Sequence, residues 1–229
     1  MGPSWRAESS HTTYHLCEHR TCAPEISFIR NETDVIKLEE KFIIETLKFV
    51  KEHCKEQLEF LGKTLEIPSS IPELKFPKIY DILRELNIKI KEEEDLKREQ
   101  EEALWRYVKE KFGTDFYFIN RFPFAVKPFY VMRVDEETKL AKSVDLVFKG
   151  LELSSGGQRE HRYEQLVNNI KEKGLNIKNL KWFVEQFRYG SPSMGGFSMG
   201  IERLTMKLLN LSNIREATLF PRDPDRLEP

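Results

Sequence analysis

The chain has 229 residues, of which 39% are hydrophobic, 33% charged and 11% aromatic. That is enough apolar material for a sizeable core, and it excludes wholesale disorder. Lys and Arg number 37 against 38 Asp and Glu, so no global field draws the molecule to polyanions and any nucleic-acid contact must be local. No apolar run reaches the roughly 18 residues of a membrane span, and no signal-peptide pattern opens the sequence. Three cysteines at irregular spacing make no disulfide framework, which predicts a reducing, cytoplasmic setting with no membrane.

In chain order, Trp5-Arg6-Ala7-Glu8 reads as the interior of a domain. A cluster of His15, Cys17, His19 and Cys22 follows, and Glu25 to Ile29 reads as the end of a short strand. Asn31 to Asp34 supplies caps for a long helix expected over 35–61. On that helix Val35, Leu38, Phe42 and Phe49 form one stripe. Ile36, Ile43, Leu47, Val50, Cys54, Leu58 and Leu61 form a second, so the helix packs on two sides and Cys54 is a core residue. The proline-bearing stretch 68–77 is a connection. Residues 78–86 predict a short helix, and 89–112 a charged one that buries Leu96, Leu104, Tyr107 and Val108 and keeps a solvated face.

Beyond Gly113 the pattern turns extended. Strands are expected over 116–119 and 127–132, and a hairpin over 144–153 that turns at Lys149-Gly150. Its alternation puts Asp145, Val147, Glu152 and Ser154 on one face, and Leu146, Phe148, Leu151 and Leu153 on the other. Helices are expected over 162–173 and 179–188. Gly195 to Gly200 leads into another over 201–211, with Ile201, Leu204, Leu208 and Leu211 as its core stripe and Arg203 pointing away. Antiparallel strands with helices on one side predict a single α+β domain over 1–229.

Arg6, Arg159 and Arg203 each stand beside small residues, where a guanidinium can meet an anion in bidentate fashion. Arg159 follows Ser154-Ser155-Gly156-Gly157-Gln158, read as a loop whose backbone can approach a ligand. Glu152, three residues before Ser155, suits a hard cation such as Mg²⁺. Together these suggest a phosphate-and-metal site; taken singly, each reads better as a surface ion-pair partner or a turn glycine. No Gly-Lys-Ser/Thr makes a P-loop, and no βαβ context makes a dinucleotide fingerprint. The His15, Cys17, His19, Cys22 cluster also reads as a metal site, with His11 nearby. Its spacing matches no usual zinc pattern, and an extended segment would send its ligands to alternating faces.

Trp5-Arg6-Ala7-Glu8 resembles motif 2 of class II aminoacyl-tRNA synthetases, and Gly195-Gly196-Phe197-Ser198-Met199-Gly200-Ile201-Glu202-Arg203 resembles motif 3. The run from Asp145 to His161 is similar to the aspartyl enzymes of archaeal and eukaryotic type. So are Lys127-Pro128-Phe129-Tyr130, Phe187-Arg188-Tyr189-Gly190 and Phe220-Pro221-Arg222-Asp223. The resemblance covers essentially the whole chain. It implies an antiparallel sheet flanked by helices, incomplete on its N-terminal side, on which ATP and L-aspartate form aspartyl-adenylate before transfer to the acceptor end of tRNA.

In that picture Arg6 contacts the α-phosphate and the substrate carboxylate, Glu8 holds the adenine amino group, and Ala7, Tyr14, His15 and Leu16 line the ATP. Glu152 and Ser155 hold Mg²⁺ and ATP. Ser155 also contacts aspartate, whose side-chain carboxylate pairs with Arg159. Arg203 takes the γ-phosphate, beside Gly200, Ile201 and Glu202. Arg6 and Arg203 act as the catalytic electrostatic groups, and no nucleophilic side chain is required.

The resemblance also marks departures. Motif 1, the anticodon-binding barrel and the loop closing over aspartate are expected to be missing, though the family is usually a homodimer. Tyr14 stands where an arginine is usual, His19 where an aromatic ring is, and Ala23 where an aspartate meets the substrate ammonium. Met194 and Ser198 replace a histidine and a glycine, and Pro24 interrupts what should be a strand. Two readings stay open: the catalytic region of an aspartate–tRNA ligase, or an impaired paralogue or fragment that binds ATP, amino acid or a partner without charging tRNA.

Overall fold

The computed structural model describes residues 1–9, 11–135, 137 and 139–228. The chain folds as two compact units. The first comprises Met1–Pro24, Lys41–Ser69 and Ser198–Pro229, and the second Glu25–Glu40 and Ser70–Phe197. Two elements run through both: helix α1 (Glu32–His53) and strand β8 (Met194–Gly200).

In the first unit, β1 (Gly2–Trp5) pairs antiparallel with β2 (Glu18–Cys22). β2 in turn lies against the end of β8, with Thr21 opposite Gly200 and Cys22 opposite Met199. Helix α7 (Ile201–Leu208) follows β8 directly. Buried Leu16, Met206 and Ile214 form a small core, with half-buried Tyr14, Leu211 and Ala217 against it. The helix stops three residues short of the expected Leu211 because Asn210 adopts a left-handed backbone (φ 52°) and the Leu211 N–H turns back to the Met206 carbonyl. Asn is one of the few side chains that tolerates that conformation.

The long helix expected over 35–61 is two helices, α1 and α2 (Lys55–Phe60), separated at Cys54. His53 stacks on Phe49 at 4.0 Å and places Nδ1 3.0 Å from the Phe49 carbonyl oxygen. That is the acceptor the helix ladder would use at the same point. Cys54 is half-buried, not a core residue.

The second unit holds β3 (Glu25–Ser27), β4 (Glu73–Lys75), β5 (Phe116–Asn120), β6 (Ser143–Phe148) and β7 (Leu151–Gln158). β5 lies between β6, antiparallel, and β4, parallel. β6 and β7 form a hairpin in which Lys149 and Gly150 both have positive φ, 48° and 68°, as a tight two-residue turn demands. β7 neighbours β8, and β3 pairs with β8 through Ile26 opposite Gly195. The expected break falls at Ala23-Pro24, between β2 and β3.

Every residue of β5 and β6 is buried, so both faces are covered and the expectation of helices on one side alone is corrected. Tyr117, Ile119 and Val147 pack on α3 (Lys78–Glu85) and α4 (Arg98–Phe112), through Ile79, Leu83, Leu104 and Val108. Ser154, opposite Leu146 and so on the other face, touches Glu39 of α1.

Three further boundaries differ from expectation. α4 begins at Arg98 instead of Lys89, because the Gln100 side chain folds back to accept from the Lys97 N–H (2.7 Å) and to donate to the Lys89 carbonyl. Residues 127–132 are not a strand: Pro128 has no N–H to give a ladder, and a turn closes from the Val131 N–H to the Pro128 carbonyl. The helix expected over 179–188 is three short turns, with α6 (Lys181–Val184) between two 3-10 segments. These pack with α5 (Tyr163–Glu172) around Leu166, Ile170 and Val184.

Candidate functional site

The hairpin's side-chain faces follow from one extra residue. Leu146 lies opposite Ser154 and Val147 opposite Glu152, leaving Leu153 as a bulge. A bulge shifts all that follows by one position, and a one-residue shift exchanges faces. Ser155 therefore joins Asp145 and Glu152, and Ser154 turns away; the simple alternation had placed Ser154 there. Asp145 Oδ1 accepts from the exposed Ser155 hydroxyl at 2.6 Å, and Asp145 Oδ2 from Lys127 Nζ at 2.6 Å.

Lys127 is anchored deeply. Its side chain is 9% exposed, that of Asp145 is 5% exposed, and the ammonium lies 3.6 Å from the Phe122 ring centre. Burial disfavours its charge, but Asp145, the hydrogen bond to it and the nearby Glu152 outweigh burial and hold the amine above its ordinary value. Lys127 thus acts as a fixed internal cation beneath the Asp145–Ser155 pair.

Gly156 and Gly157 are strand residues of β7, not a loop. A Cβ on Gly156 would lie 2.3 Å from the Gly196 carbonyl oxygen, and one on Gly157 2.2 Å from that of Lys142. Their bareness lets neighbouring backbones close on each other, which explains two consecutive glycines without any ligand. Arg159, at the end of this strand, gives both Nη2 (2.6 Å) and Nε (3.1 Å) to Glu25 Oε1. Its guanidinium also lies 5.7 Å from the Tyr130 ring centre.

In the first unit, Arg203 sits in the first turn of α7. Its Nη2 lies 3.2 Å from His15 Nε2, and its Nε donates to the Tyr14 carbonyl at 3.4 Å. Because a guanidinium only donates, His15 Nε2 must be the acceptor, which leaves Nδ1 to donate to Thr12 Oγ1. Burial, then Arg203, with Arg6 and His19 adding smaller effects and Glu8 opposing, push the His15 pKa below the usual histidine value. Burial and Arg6 do the same to His19. Arg6, Glu8, His19 and Arg203 thus lie within electrostatic range of His15, and Arg6, Glu202 and Arg203 within that of His19. Glu202 is buried, and both its oxygens accept from the Arg20 N–H (3.1 and 2.9 Å), so its carboxylate ties α7 to β2. Arg6 and Ala7 are exposed, Tyr14, Gly200 and Ile201 half-buried, and Leu16 is core.

Among the described residues no three His, Cys, Asp or Glu side chains gather as metal ligands, so the His15, Cys17, His19, Cys22 cluster does not assemble. Sequence reasoning also missed Glu25, Lys127 and Glu39. The signal for Glu39 was present, since it falls four residues after Val35 and four before Ile43, in the middle of an apolar stripe. Burial pushes its pKa up to about 8, with Asp145 adding to the rise and Ser154 opposing it. Glu39 Oε2 is buried with no hydrogen-bond partner.

Residues 1–224 match the family described as tRNA synthetases class II (D, K and N). The chain is 43% identical to the aspartate–tRNA(Asp) ligase of Pyrococcus furiosus over 99% of its own length and 52% of that protein's. It superposes with a TM-score of 0.94 on an aspartyl tRNA synthetase from Entamoeba histolytica, at 34% identity, covering 100% of this chain and 48% of that one. An asparaginyl-tRNA synthetase from Pyrococcus horikoshii, solved with asparaginyl-adenylate, gives 0.90 at 30% identity, covering 100% of this chain and 52% of that one. The chain spans about half the length of the curated relatives it matches. Among the described residues no helix is long and apolar enough to cross a membrane.

Proposed function

The chain belongs to the class II tRNA synthetases of the D, K and N group, and from that membership we propose that it carries the aspartate-activating region of an aspartate–tRNA ligase. Its reaction joins a carboxylate oxygen of aspartate to the α-phosphorus of ATP with loss of pyrophosphate. The aspartyl group then passes to the 3′ end of tRNA, in a cytoplasmic setting.

The observation that carries this reading is Arg159. Its Nε and Nη2 already hold a carboxylate, Glu25 Oε1, which is the chemistry needed to choose an aspartate side chain over a neutral amide. Ser155, exposed and oriented by Asp145, would meet the same substrate. In the first unit Arg6 would stabilise charge at the α-phosphate and substrate carboxylate, Arg203 would take the γ-phosphate, and Glu8 the adenine amino group, with Ala7, Tyr14, His15, Leu16, Gly200, Ile201 and Glu202 lining the nucleotide. Glu152 and Ser155 offer the hard oxygen donors that Mg²⁺ prefers, and the ion would neutralise phosphate charge. The protein's own work is positioning and electrostatic stabilisation.

Aspartate-dependent ATP–pyrophosphate exchange on the purified chain tests this. Exchange should require aspartate, fail with asparagine, and fall roughly 100-fold in kcat/KM for aspartate in Arg159→Ala, the cost of leaving a charged group unpaired. A folded chain that exchanges equally well with asparagine, or without Arg159, refutes the assignment. A second reading, ligand binding without activation, is favoured by the same Arg159–Glu25 pair, because an internal carboxylate competes for the guanidinium. ATP or aspartate binding by calorimetry with no exchange would select it.

A further inference from the structure

The surface of α6 and the 3-10 turns on either side carries features that the ligation chemistry does not use. Between residues 171 and 190 stand five cations, Lys171, Lys173, Lys178, Lys181 and Arg188, against two carboxylates, Glu172 and Glu185, in a chain whose total charge is −1. Both carboxylates are engaged by arginines: Glu185 by Arg188 at 3.2 Å, and Glu172 by Arg133. Lys173 is turned inward onto the Phe124 and Ala125 carbonyls. Lys171, Lys178 and Lys181 are exposed, so the outward field of this segment is positive.

The same segment exposes two large aromatic rings, Trp182 at 72% and Tyr189 at 88%. Trp182 lies in α6, and Gln186 and Tyr189 lie in the 3-10 turn that follows, where residues three apart share a side. The Trp182 ring is braced from behind by the edge of Phe183, 5.9 Å away, and Phe183 packs against the core of α5 and α6. The Gln186 amide donates to the Trp182 carbonyl at 3.1 Å. Exposed rings on a rigid support, flanked by unneutralised lysines, are what successive unpaired bases and their phosphates require. A protein partner would favour a wider apolar patch with fewer lysines, since lysine is depleted in such interfaces.

We propose that this face binds single-stranded RNA, bases stacking on Trp182 and Tyr189 while Lys178 and Lys181 meet the phosphates. The assignment stands apart from the activation chemistry and is read by binding alone. The full chain is titrated into a fluorescein-labelled, single-stranded oligoribonucleotide of mixed sequence, followed by anisotropy at several salt concentrations.

Trp182→Ala and Tyr189→Ala should each weaken binding roughly ten-fold, and Trp182→Phe, which keeps a ring, should retain most of the affinity. Reversing Lys178 and Lys181 to Glu should weaken binding further and flatten its dependence on salt. An RNA duplex of the same sequence should compete poorly, because its bases offer no open faces. All four residues are exposed, so circular dichroism should be unchanged. Affinity unaltered in both alanine variants, or equal affinity for the duplex, overturns the proposal. So does sedimentation showing that wild-type chains associate through Trp182 and that RNA binds elsewhere.

Discussion

At the residue scale the most informative group is His15. Arg203 can only donate, so the contact at 3.2 Å exists only while His15 Nε2 is unprotonated. Burial and then Arg203 lower the His15 pKa, so the contact is complete above the ordinary histidine range and is lost as pH falls through the lowered folded value. In an NMR titration of the imidazole resonances, His15 should titrate below the usual histidine value. Arg203→Gln should move its midpoint upward. An unmoved midpoint would mean that Arg203 does not set the tautomer. Such a pairing is illegible in sequence, because 188 positions separate the two residues and only the fold brings Tyr14, His15 and Arg203 together.

At the scale of elements, the β6–β7 hairpin shows how far a residue pattern carries. Lys149-Gly150 marked the turn correctly through Gly150, which accepts a positive φ at no steric cost. Alternation alone then misassigned Ser154, because a bulge at Leu153 adds a residue without changing composition. The strand expected over 127–132 failed for a similar reason: its apolar run was visible, but the local turn at Pro128 prevailed. The cost of the buried Lys127–Asp145 pair follows from its exposure of 9% and 5%. Lys127→Met leaves a buried carboxylate without its cation and should cost about 3 to 5 kcal/mol in urea denaturation. Adding Asp145→Leu to that variant should recover much of the loss, because two apolar side chains need no compensation. If the double variant is no better than the single, the pair owes its effect to packing instead of charge.

At the scale of the whole molecule, pH dependence of folding gathers around Glu39. The α1 stripe Val35, Ile36, Glu39, Ile43 and Leu47 is buried along its length, at 0 to 7% exposure. The stripe was legible as a core face, while the carboxyl within it was passed over because a period reads apolar positions and ignores exceptions. Folding carries that carboxyl from an ordinary value of 4.5 to about 8. Between those limits the unfolded chain has released the proton and the folded chain retains it. The unfolded state therefore binds fewer protons there, and stability declines as pH rises. The contribution is full below about pH 4.5, falls by about 1.4 kcal/mol per pH unit at its steepest, and levels off above pH 8. Glu39→Gln keeps an oxygen that can accept from the Ser154 hydroxyl but cannot ionise. Denaturant midpoints measured from pH 5 to 9 should fall less steeply in the Gln variant, with the two proteins closest at pH 5 and furthest apart above pH 8. Parallel slopes would place the titrating group elsewhere and return Glu39 to an ordinary carboxylate.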